Sequence, residues 1–142
     1  MDELDTALLA LLAEDARAPV ATLARRLGLA RTTVQARLDR LETTGVIAGY
    51  TLRLGARARP RLRATVLITI EPRAGPRVIA RLKALPAVRA VHSVSGRFDL
   101  IVEVTTDHTE ALDAALDDLG ATEGVKSSES LIHLATKLDR NT

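Results

Sequence analysis

The chain of 142 residues contains no cysteine and no tryptophan, and it has only one phenylalanine and one tyrosine. The absence of thiols excludes disulfides, thiolate metal sites and cysteine nucleophiles, and nothing indicates an oxidising compartment. The longest apolar runs, such as residues 64–70, are far shorter than a bilayer-spanning helix, and the acidic start Met1-Asp2-Glu3 is unlike an export signal. The sequence therefore predicts a cytoplasmic protein with no membrane partner.

Positive charge is concentrated in the first half of the chain. The formal net charge of +2 is too small to indicate a nucleic-acid partner by itself. Residues 16–59, however, hold nine arginines and two acidic residues, a local charge of +7, whereas residues 61–142 hold eleven charges of each sign. This segregation favours an N-terminal half that contacts the phosphates of a nucleic acid and a C-terminal half that does not. The alternative is a solvated charged surface whose arginine bias reflects a GC-rich genome.

Residues 20–50 have the pattern of a helix-turn-helix, in which a tight turn at Gly28 joins two amphipathic helices. Each helix places its apolar residues at helical spacing, so that each has one core stripe. The stripes are Val20, Leu23, Ala24 and Leu27 in the first helix and Val34, Leu38 and Leu41 in the second. The pattern is typical of DNA-binding proteins, although an ordinary helix pair in a small α-rich protein is the alternative.

The outer face of the second helix carries groups that can read DNA. Arg40 can form two hydrogen bonds with the edge of a guanine, and Gln35 can bind an adenine. Ala36 or a threonine methyl can pack on a thymine methyl. Arg37 lies nearer the core side, where we expect a phosphate contact or an internal ion pair. Asp39 would repel phosphates unless it accepts from a cytosine or pairs with Arg37 or Arg40. The predicted DNA-binding residues are Arg31, Thr32, Thr33, Gln35, Ala36, Arg37 and Arg40.

The segments on either side of this motif complete a first domain. Residues 5–14 predict a short helix that packs beneath the other two, and residues 46–52 predict two short strands around Gly49, a β wing. The stretch 53–61 contains a glycine, a proline and four arginines and is interpreted as a basic linker. We therefore expect a winged helix-turn-helix domain over residues 1–52 and a second domain over residues 62–142.

The second domain changes to the period of β-strands. Residues 62–70 alternate between apolar and polar types, as a half-buried strand does. The predicted elements that follow are a helix at 78–85, strands at 88–95 and 98–105 joined through Gly96-Arg97, an acidic helix at 107–119 and a strand at 125–135. This βαββαβ order is the split βαβ of a ferredoxin-like sandwich, so the fold class is α+β.

One face of the predicted sheet has no helix to cover it. Leu67, Val91 and Ile101 lie at positions that alternate with the main apolar sets and so face this bare side. A half-open sheet with apolar residues tends to pair with another copy. We therefore expect a homodimer, whose two recognition helices would enter successive major grooves.

Several segments in order resemble the Lrp/AsnC (leucine-responsive, or feast/famine) family of transcriptional regulators. They are DELDTALLALLAEDAR, LARRLGLARTTVQARLDRLETTGVIAGY, SGRFDLIVEV and GVKSSESLIHL, which together span nearly the whole chain. The resemblance implies a winged helix-turn-helix followed by an ACT-like domain of the RAM type for amino-acid sensing and oligomerisation. It also implies dimers that assemble into higher even-numbered oligomers such as octamers, with a small effector between subunits.

Carried over residue by residue, the family's effector site falls on Gly96, Arg97, Phe98, Asp99, Ser128 and Ser130. Backbone N–H groups around Gly96 can hold a carboxylate, and Asp99 or a serine can accept from an α-amino group. Alternatively, Gly96 only permits the turn, Phe98 only fills the core, and Asp99 is only a capping residue or a partner of Arg97. Arg97 stands where the family usually has an acidic residue, which puts the identity of the effector in doubt.

A second departure concerns the start of the recognition helix. Ala30 stands where the family usually has a capping serine, so Thr32 or a water would have to satisfy the first N–H groups, at a cost of about 1 kcal/mol.

Two other function classes remain open at this point. One is an enzyme similar to the sirohaem decarboxylases, which share this architecture and use histidines. We expect His92 instead to be a half-buried structural or interface residue and His108 to start a helix. The two aromatic residues of the chain are also too few to line a tetrapyrrole pocket well. The other class is a sensing or assembly module without specific DNA targets. The prediction is a DNA-binding regulator, not an enzyme, with no cofactor and no metal.

Overall fold

The structure, a computed structural model, describes residues 1–140, which form two compact units over residues 1–53 and 54–140. The elements in chain order are α1 (Glu3–Glu14), α2 (Val20–Leu27), α3 (Arg31–Thr43), β1 (Leu62–Ile70), α4 (Gly75–Lys83), β2 (Val88–Ser93), β3 (Leu100–Thr106), α5 (Thr109–Gly120) and β4 (Val125–Ile132). In the described part of the chain, no helix is long and apolar enough to cross a membrane.

The N-terminal unit is a bundle of three helices. Asp2 caps α1 through a reciprocal capping box with Asp5, and α2 ends at Gly28, whose φ of 67° lies in the left-handed region that favours glycine. The predicted core stripes are confirmed, since their buried members pack together with one residue of α1. This core consists of Leu8, Leu23, Ala24, Val34, Leu38 and Leu41, with Val20 and Leu27 half-buried against it.

The predicted β wing is wrong: residues 46–52 form no strand. Ile47 donates its N–H to the Leu41 carbonyl (2.9 Å) and packs against the helices, but Gly49 does not adopt the positive φ of a tight hairpin turn. Leu52 is 84% exposed, and Tyr50 instead donates its hydroxyl to Glu42 (2.8 Å). Arms of about three residues bury too little surface to hold a hairpin on their own.

The C-terminal unit is an antiparallel sheet of strand order β2-β3-β1-β4 with α4 and α5 on one face. The ferredoxin-like prediction is therefore confirmed. Alternate residues of β1 and β3 meet the two helices in one apolar core. Its buried members are Ala64, Val66, Ile68, Ala74, Val78, Leu82, Leu100, Val102, Val104, Leu112 and Leu119.

The predicted position of one residue on the open sheet face is wrong. Leu67 and Ile101 are paired across β1 and β3 on that face, as predicted. In β2, however, the register shifts between Val88 and Ala90, so that Val91 lies opposite Val102 on the helix-covered face. One extra residue in a strand moves every later side chain to the other side of the sheet.

The same bulge changes the position of a histidine. His92 is expected to be half-buried as a structural residue or to lie at a subunit interface; it lies opposite Ile101 on the open face and is exposed, so the expected half-burial is wrong.

The ends of several predicted elements also differ from the structure. β2 stops at Ser93 and β3 begins at Leu100, so that residues 94–99 form a longer connection than a tight hairpin. β4 ends at Ile132, and α5 begins at Thr109 after His108, which caps it as the predicted helix-start residue.

Candidate functional site

The outer face of α3 forms a shallow concave surface. Its lining residues are Thr32, Thr33, Ala36, Arg37 and Arg40. Arg31 is exposed at the first turn of the helix, and Gln35 is exposed beside this surface. The structure thus brings five of the seven predicted DNA-binding residues onto one surface and leaves the other two next to it. The buried stripe of Val34, Leu38 and Leu41 faces the opposite way.

The first turn of α3 has no side-chain cap. Ala30 is the N-cap residue, and no side-chain hydrogen bond caps the first turn in the described structure. The predicted cap from Thr32 is therefore not formed. The uncapped N–H groups and the positive end of the helix dipole face outward, and together they favour an anion such as a phosphate.

Of the two alternatives for Asp39, a cytosine contact or a pair with Arg37 or Arg40, the structure does not form the pair. Oδ1 of Asp39 accepts from Nε2 of Gln35 at 2.8 Å, one helical turn away. The guanidinium groups of Arg37 and Arg40 make their ion pairs with α1 instead. The bond to Asp39 uses one donor of the Gln35 amide.

Two acidic residues of α1 bind the two arginines of α3. Nη1 of Arg37 lies 2.8 Å from Oδ2 of Asp2 and 3.0 Å from Oδ1 of Asp5. Nη2 of Arg40 lies 3.2 Å from Oδ2 of Asp5. Of the two roles expected for Arg37, the structure forms the internal ion pair.

The internal ion pair of Arg37 was expected, but its acidic partners on α1 and the pairing of Arg40 were missed in the sequence, although a signal for them was present. Asp5 lies three residues before Leu8, a spacing that places both on the buried face of α1. A carboxylate at such a position requires a partner, because an unpaired buried charge costs a great deal of free energy. The count of positive charge over residues 16–59 omitted both acids.

Asp2, Asp5 and Arg37 remain charged at neutral pH. The hydrogen bond from Arg37 is the main cause that lowers the pKa of Asp2 to about 2. Burial raises the pKa of Asp5, but the hydrogen bonds from Arg37 and from the Asp2 backbone outweigh it, and the net pKa is lowered. The same contacts raise the pKa of Arg37. The ion pairs of Asp2 and Asp5 with Arg37 therefore persist across the physiological pH range.

The loop between β2 and β3 holds the first predicted effector residues. Gly96 has a φ of 130°, and the Arg97 guanidinium lies 5.3 Å from the centre of the Phe98 ring, in cation–π contact. Asp99 donates its N–H to the Ile68 carbonyl (2.8 Å), and its Oδ2 accepts from the N–H of Ile70 (2.9 Å). Asp99 therefore caps the end of β1 and does not pair with Arg97.

The predicted serines lie on the other side of β1. Ser128 and Ser130 of β4 are opposite Ile68 and Val66, on the helix side of the sheet, and both are exposed. Because Asp99 binds Ile68 from the β3 side, the two groups are separated by β1, about 10 Å at two strand spacings. They share one end of the sheet, but among the described residues no hydrogen bond joins them.

The three histidines lie apart from one another. Nε2 of His133 contacts Oγ1 of Thr65 (2.8 Å), and Nδ1 of His108 accepts from the N–H of Ala111 (3.3 Å). His92 is exposed on the open sheet face. Their positions give three separate environments and not one cluster.

Both halves of the chain match known domain families. Residues 1–42 match the AsnC-type helix-turn-helix domain, and residues 63–142 match the Lrp/AsnC ligand binding domain. Among relatives, the chain is 34% identical to the HTH-type transcriptional regulator LrpA of Mycobacterium tuberculosis, over 93% of this chain and 89% of that protein. It is 28% identical to the HTH-type transcriptional regulator FL11 of Pyrococcus furiosus, over 94% of this chain and 89% of the relative.

Solved structures share the fold over nearly the full length. AsnC of E. coli has a TM-score of 0.91 at 22% identity, covering 100% of this chain and 97% of that one. The transcriptional regulator NMB0573 of Neisseria meningitidis, solved as a complex with L-Met, has a TM-score of 0.89 at 23% identity, covering 98% and 93%. The described molecule joins a DNA-binding helix-turn-helix to a ligand-binding domain, as transcriptional regulators do. The chain belongs to the Lrp/AsnC family of HTH-type transcriptional regulators.

Proposed function

We propose that the chain regulates transcription by placing α3 in the major groove of a specific duplex. The observation that carries this proposal is the concave outer face of α3, which groups short hydroxyls, a methyl and two arginines beside an uncapped helix start. Arg40 would hydrogen-bond to a guanine, and the threonines and Ala36 would contact thymine methyls or phosphates. Arg31 would bind the sugar-phosphate backbone of the DNA. Arg37 would act mainly by fixing α3 to α1, and Gln35 would read a base through the part of its amide that Asp39 leaves unused.

The test begins with a duplex selected from a random library by the unaltered protein. We expect Arg40→Ala to lose about 1 to 3 kcal/mol of binding on that duplex and much less on a scrambled duplex of the same composition. Fluorescence anisotropy over a range of salt concentrations gives both affinities. Arg26→Ala, which removes an exposed arginine paired with Glu14, is the matched control. Equal weakening on the two duplexes would contradict base reading by Arg40.

We also propose a homodimer formed through the open sheet face. Leu67 and Ile101 lie together on this face, and Leu131, opposite Thr65, adds apolar surface. Dimers of this kind would assemble further into even-numbered oligomers such as octamers. Light scattering should show Ile101→Lys to be a monomer, whereas Leu138→Lys, at an exposed leucine outside the sheet, should remain assembled. An assembled Ile101→Lys variant would place the interface elsewhere.

A third part of the proposal concerns the ligand. We infer that an amino acid or a related metabolite binds at the end of the sheet where Gly96, Arg97, Phe98 and Asp99 lie, with Ser128 and Ser130 across β1. Because Asp99 is committed to Ile70, the exposed Arg97 is the group that would select for an acidic function. Thermal-shift screening against amino acids should give a ligand whose effect is lost in Arg97→Glu and kept in Arg81→Glu. Loss in both variants, or in neither, would reject the role of Arg97.

On this proposal, the protein acts in the cytoplasm by binding DNA and an effector and not by catalysis. The separate structural environments of the three histidines and the capping role of Asp99 support this view. An absorbance scan after addition of a tetrapyrrole tests the enzyme alternative, and we expect no spectral change.

A further inference from the structure

The contact between α1 and α3 is built around one buried carboxylate. Asp5 is only 1% exposed, and three donors converge on it. Its Oδ1 accepts from Arg37 (3.0 Å), and its Oδ2 accepts from Arg40 (3.2 Å) and from the backbone N–H of Asp2 (3.3 Å). Because Asp5 is held by α1 and by the core beneath it, its oxygens are fixed points against which the two guanidinium groups are placed.

Arg40 is held at one end only. Its Nη2 binds Asp5, and its side chain is 59% exposed along the concave surface of α3. An arginine carries five N–H donors, and in the described structure the contact with Asp5 is the one that the Arg40 guanidinium makes. The remaining donors are free to form a two-pronged contact with a base edge. Fixing the guanidinium before DNA arrives lowers the entropy lost on binding.

The same contact removes charge from the DNA-facing surface. Asp2 and Asp5 together balance Arg37 and Arg40, so these four groups contribute no net charge. Attraction to any duplex depends on the number of uncompensated positive charges near the phosphates, whereas discrimination depends on directed contacts to bases. Arg40 is thus placed to add to discrimination more than to general affinity.

We propose that Asp5, which does not itself touch DNA, is a specificity-determining positioning residue that orients Arg40 and cancels charge that would otherwise bind any duplex. The inference rests on the proposed role of α3 in base reading. It predicts two effects of opposite sign when the charge of Asp5 is removed. Affinity for a selected duplex should fall because Arg40 is no longer oriented, and affinity for an unrelated duplex should rise because positive charge is released. A residue that only stabilised the fold would lower both affinities.

The experiment compares Asp5→Asn with Glu14→Gln, which removes one exposed acid of the same helix that pairs with Arg26. The probes are the duplex selected by the unaltered protein and its scrambled counterpart, measured by anisotropy at low salt. We expect Asp5→Asn to lower the ratio of the two affinities about three- to tenfold and to raise the scrambled-duplex affinity about twofold. Glu14→Gln should leave the ratio unchanged.

A double variant separates orientation from other effects. In the Arg40→Ala background, Asp5→Asn should no longer change the ratio, because the group that it positions is gone. An unchanged ratio in the single variant, a fall of both affinities together, or a full effect in the Arg40→Ala background would each overturn the inference. An unaltered protein that does not discriminate between the duplexes would overturn the proposed base reading itself, so the two failures are distinguishable.

Folding of the variant is checked by far-UV circular dichroism and by the fluorescence of Tyr50. If Asp5→Asn does not fold, Asp5→Glu takes its place, since glutamate suits this position of a capping box and keeps the charge while moving the carboxylate by one methylene. The ratio should then fall without a rise in scrambled-duplex affinity. A ratio equal to that of the unaltered protein would overturn the inference.

Discussion

The two units of the chain hold their helices in different ways. In the C-terminal unit, α4 and α5 pack on the sheet through an apolar core. In the N-terminal unit, a smaller apolar core is supplemented by the buried carboxylate of Asp5 and its two arginines. A small domain buries less apolar surface per residue, so polar contacts carry more of its cohesion.

The difference has a functional consequence. The apolar core of the C-terminal unit lies on one side of the sheet, which leaves the opposite face free for a second copy. In the N-terminal unit, the charges that join α1 to α3 belong to the same side chains that line the candidate DNA surface. In the C-terminal unit, the residues that hold the fold together thus differ from those on the face proposed for a second copy. In the N-terminal unit, the same arginines join the helices and line the candidate DNA surface.

The largest expected effects come from removing one fully buried leucine in each unit. Leu8→Ala and Leu82→Ala should each lower the free energy of unfolding by about 2 to 5 kcal/mol, since both side chains have no exposed surface. Tyr50, the one tyrosine of the chain, reports on the N-terminal unit, and far-UV circular dichroism reports on both. Leu8→Ala should shift the Tyr50 transition and abolish DNA binding, whereas Leu82→Ala should shift mainly the dichroism. Equal shifts of both probes in both variants would mean that the two units unfold as one.

Two glycines test how closely each unit is packed. Both have positive φ, but a Cβ at Gly124 would lie 2.8 Å from Val78 and 2.9 Å from Ala74, whereas one at Gly28 meets nothing within 4 Å. We expect Gly124→Ala to cost about 2 to 4 kcal/mol, from backbone strain and overpacking together. Gly28→Ala should cost about 1 to 2 kcal/mol, from strain alone. Thermal unfolding of the two variants measures the difference in their stability. Similar losses of stability would show that the side chains around Gly124 can move to make room for the added methyl group.

The N-terminal unit should lose stability in acid. The pKa of Asp2 is about 2 in the folded state against its ordinary value of 3.8, so its contribution to stability is fully present above pH 4 and is lost as the pH falls toward 2. Arg37→Gln removes the main cause of the lowered pKa and should flatten this dependence. Urea unfolding followed by Tyr50 fluorescence between pH 5 and pH 2 measures it, with Arg26→Gln as the control. An equally steep curve in Arg37→Gln would assign the dependence to other carboxylates.

Local periodicity predicts most of the fold. The stripe of Val34, Leu38 and Leu41 fixes which face of α3 is buried, and helical geometry then fixes the outer face, so that surface of the candidate site follows from the sequence. The alternation in β1 identifies its core face in the same way. These features need only neighbours within about one turn or one strand.

Features that depend on distant partners were not predictable. The contact of Arg40 with Asp5 joins residues 35 positions apart, and periodicity carries no information about such a pair. The register shift near Arg89 comes from a single extra residue in β2, which the alternation of Val88 and Ala90 conceals. The commitment of Asp99 to Ile70 likewise depends on the pairing of β1 with β3, so the ligand end of the molecule was less predictable than the face of α3.

The smallest effect concerns a turn in the C-terminal unit, where an arginine occupies a position suited to glycine. Arg73 has a φ of 65° in the turn 71–74, in which Pro72 precedes it and the N–H of Ala74 binds the Glu71 carbonyl (3.1 Å). This is the arrangement of a type II turn, whose third residue favours glycine. Arg73→Gly should therefore raise the free energy of unfolding by about 0.5 to 1 kcal/mol, because relief of strain exceeds the added entropy of the unfolded chain. The same replacement at Arg81, within α4, should lower it by about 1 kcal/mol. Opposite signs in thermal unfolding would locate the effect in the backbone of the turn, and two losses would show that the side chain of Arg73 contributes more than its strain costs.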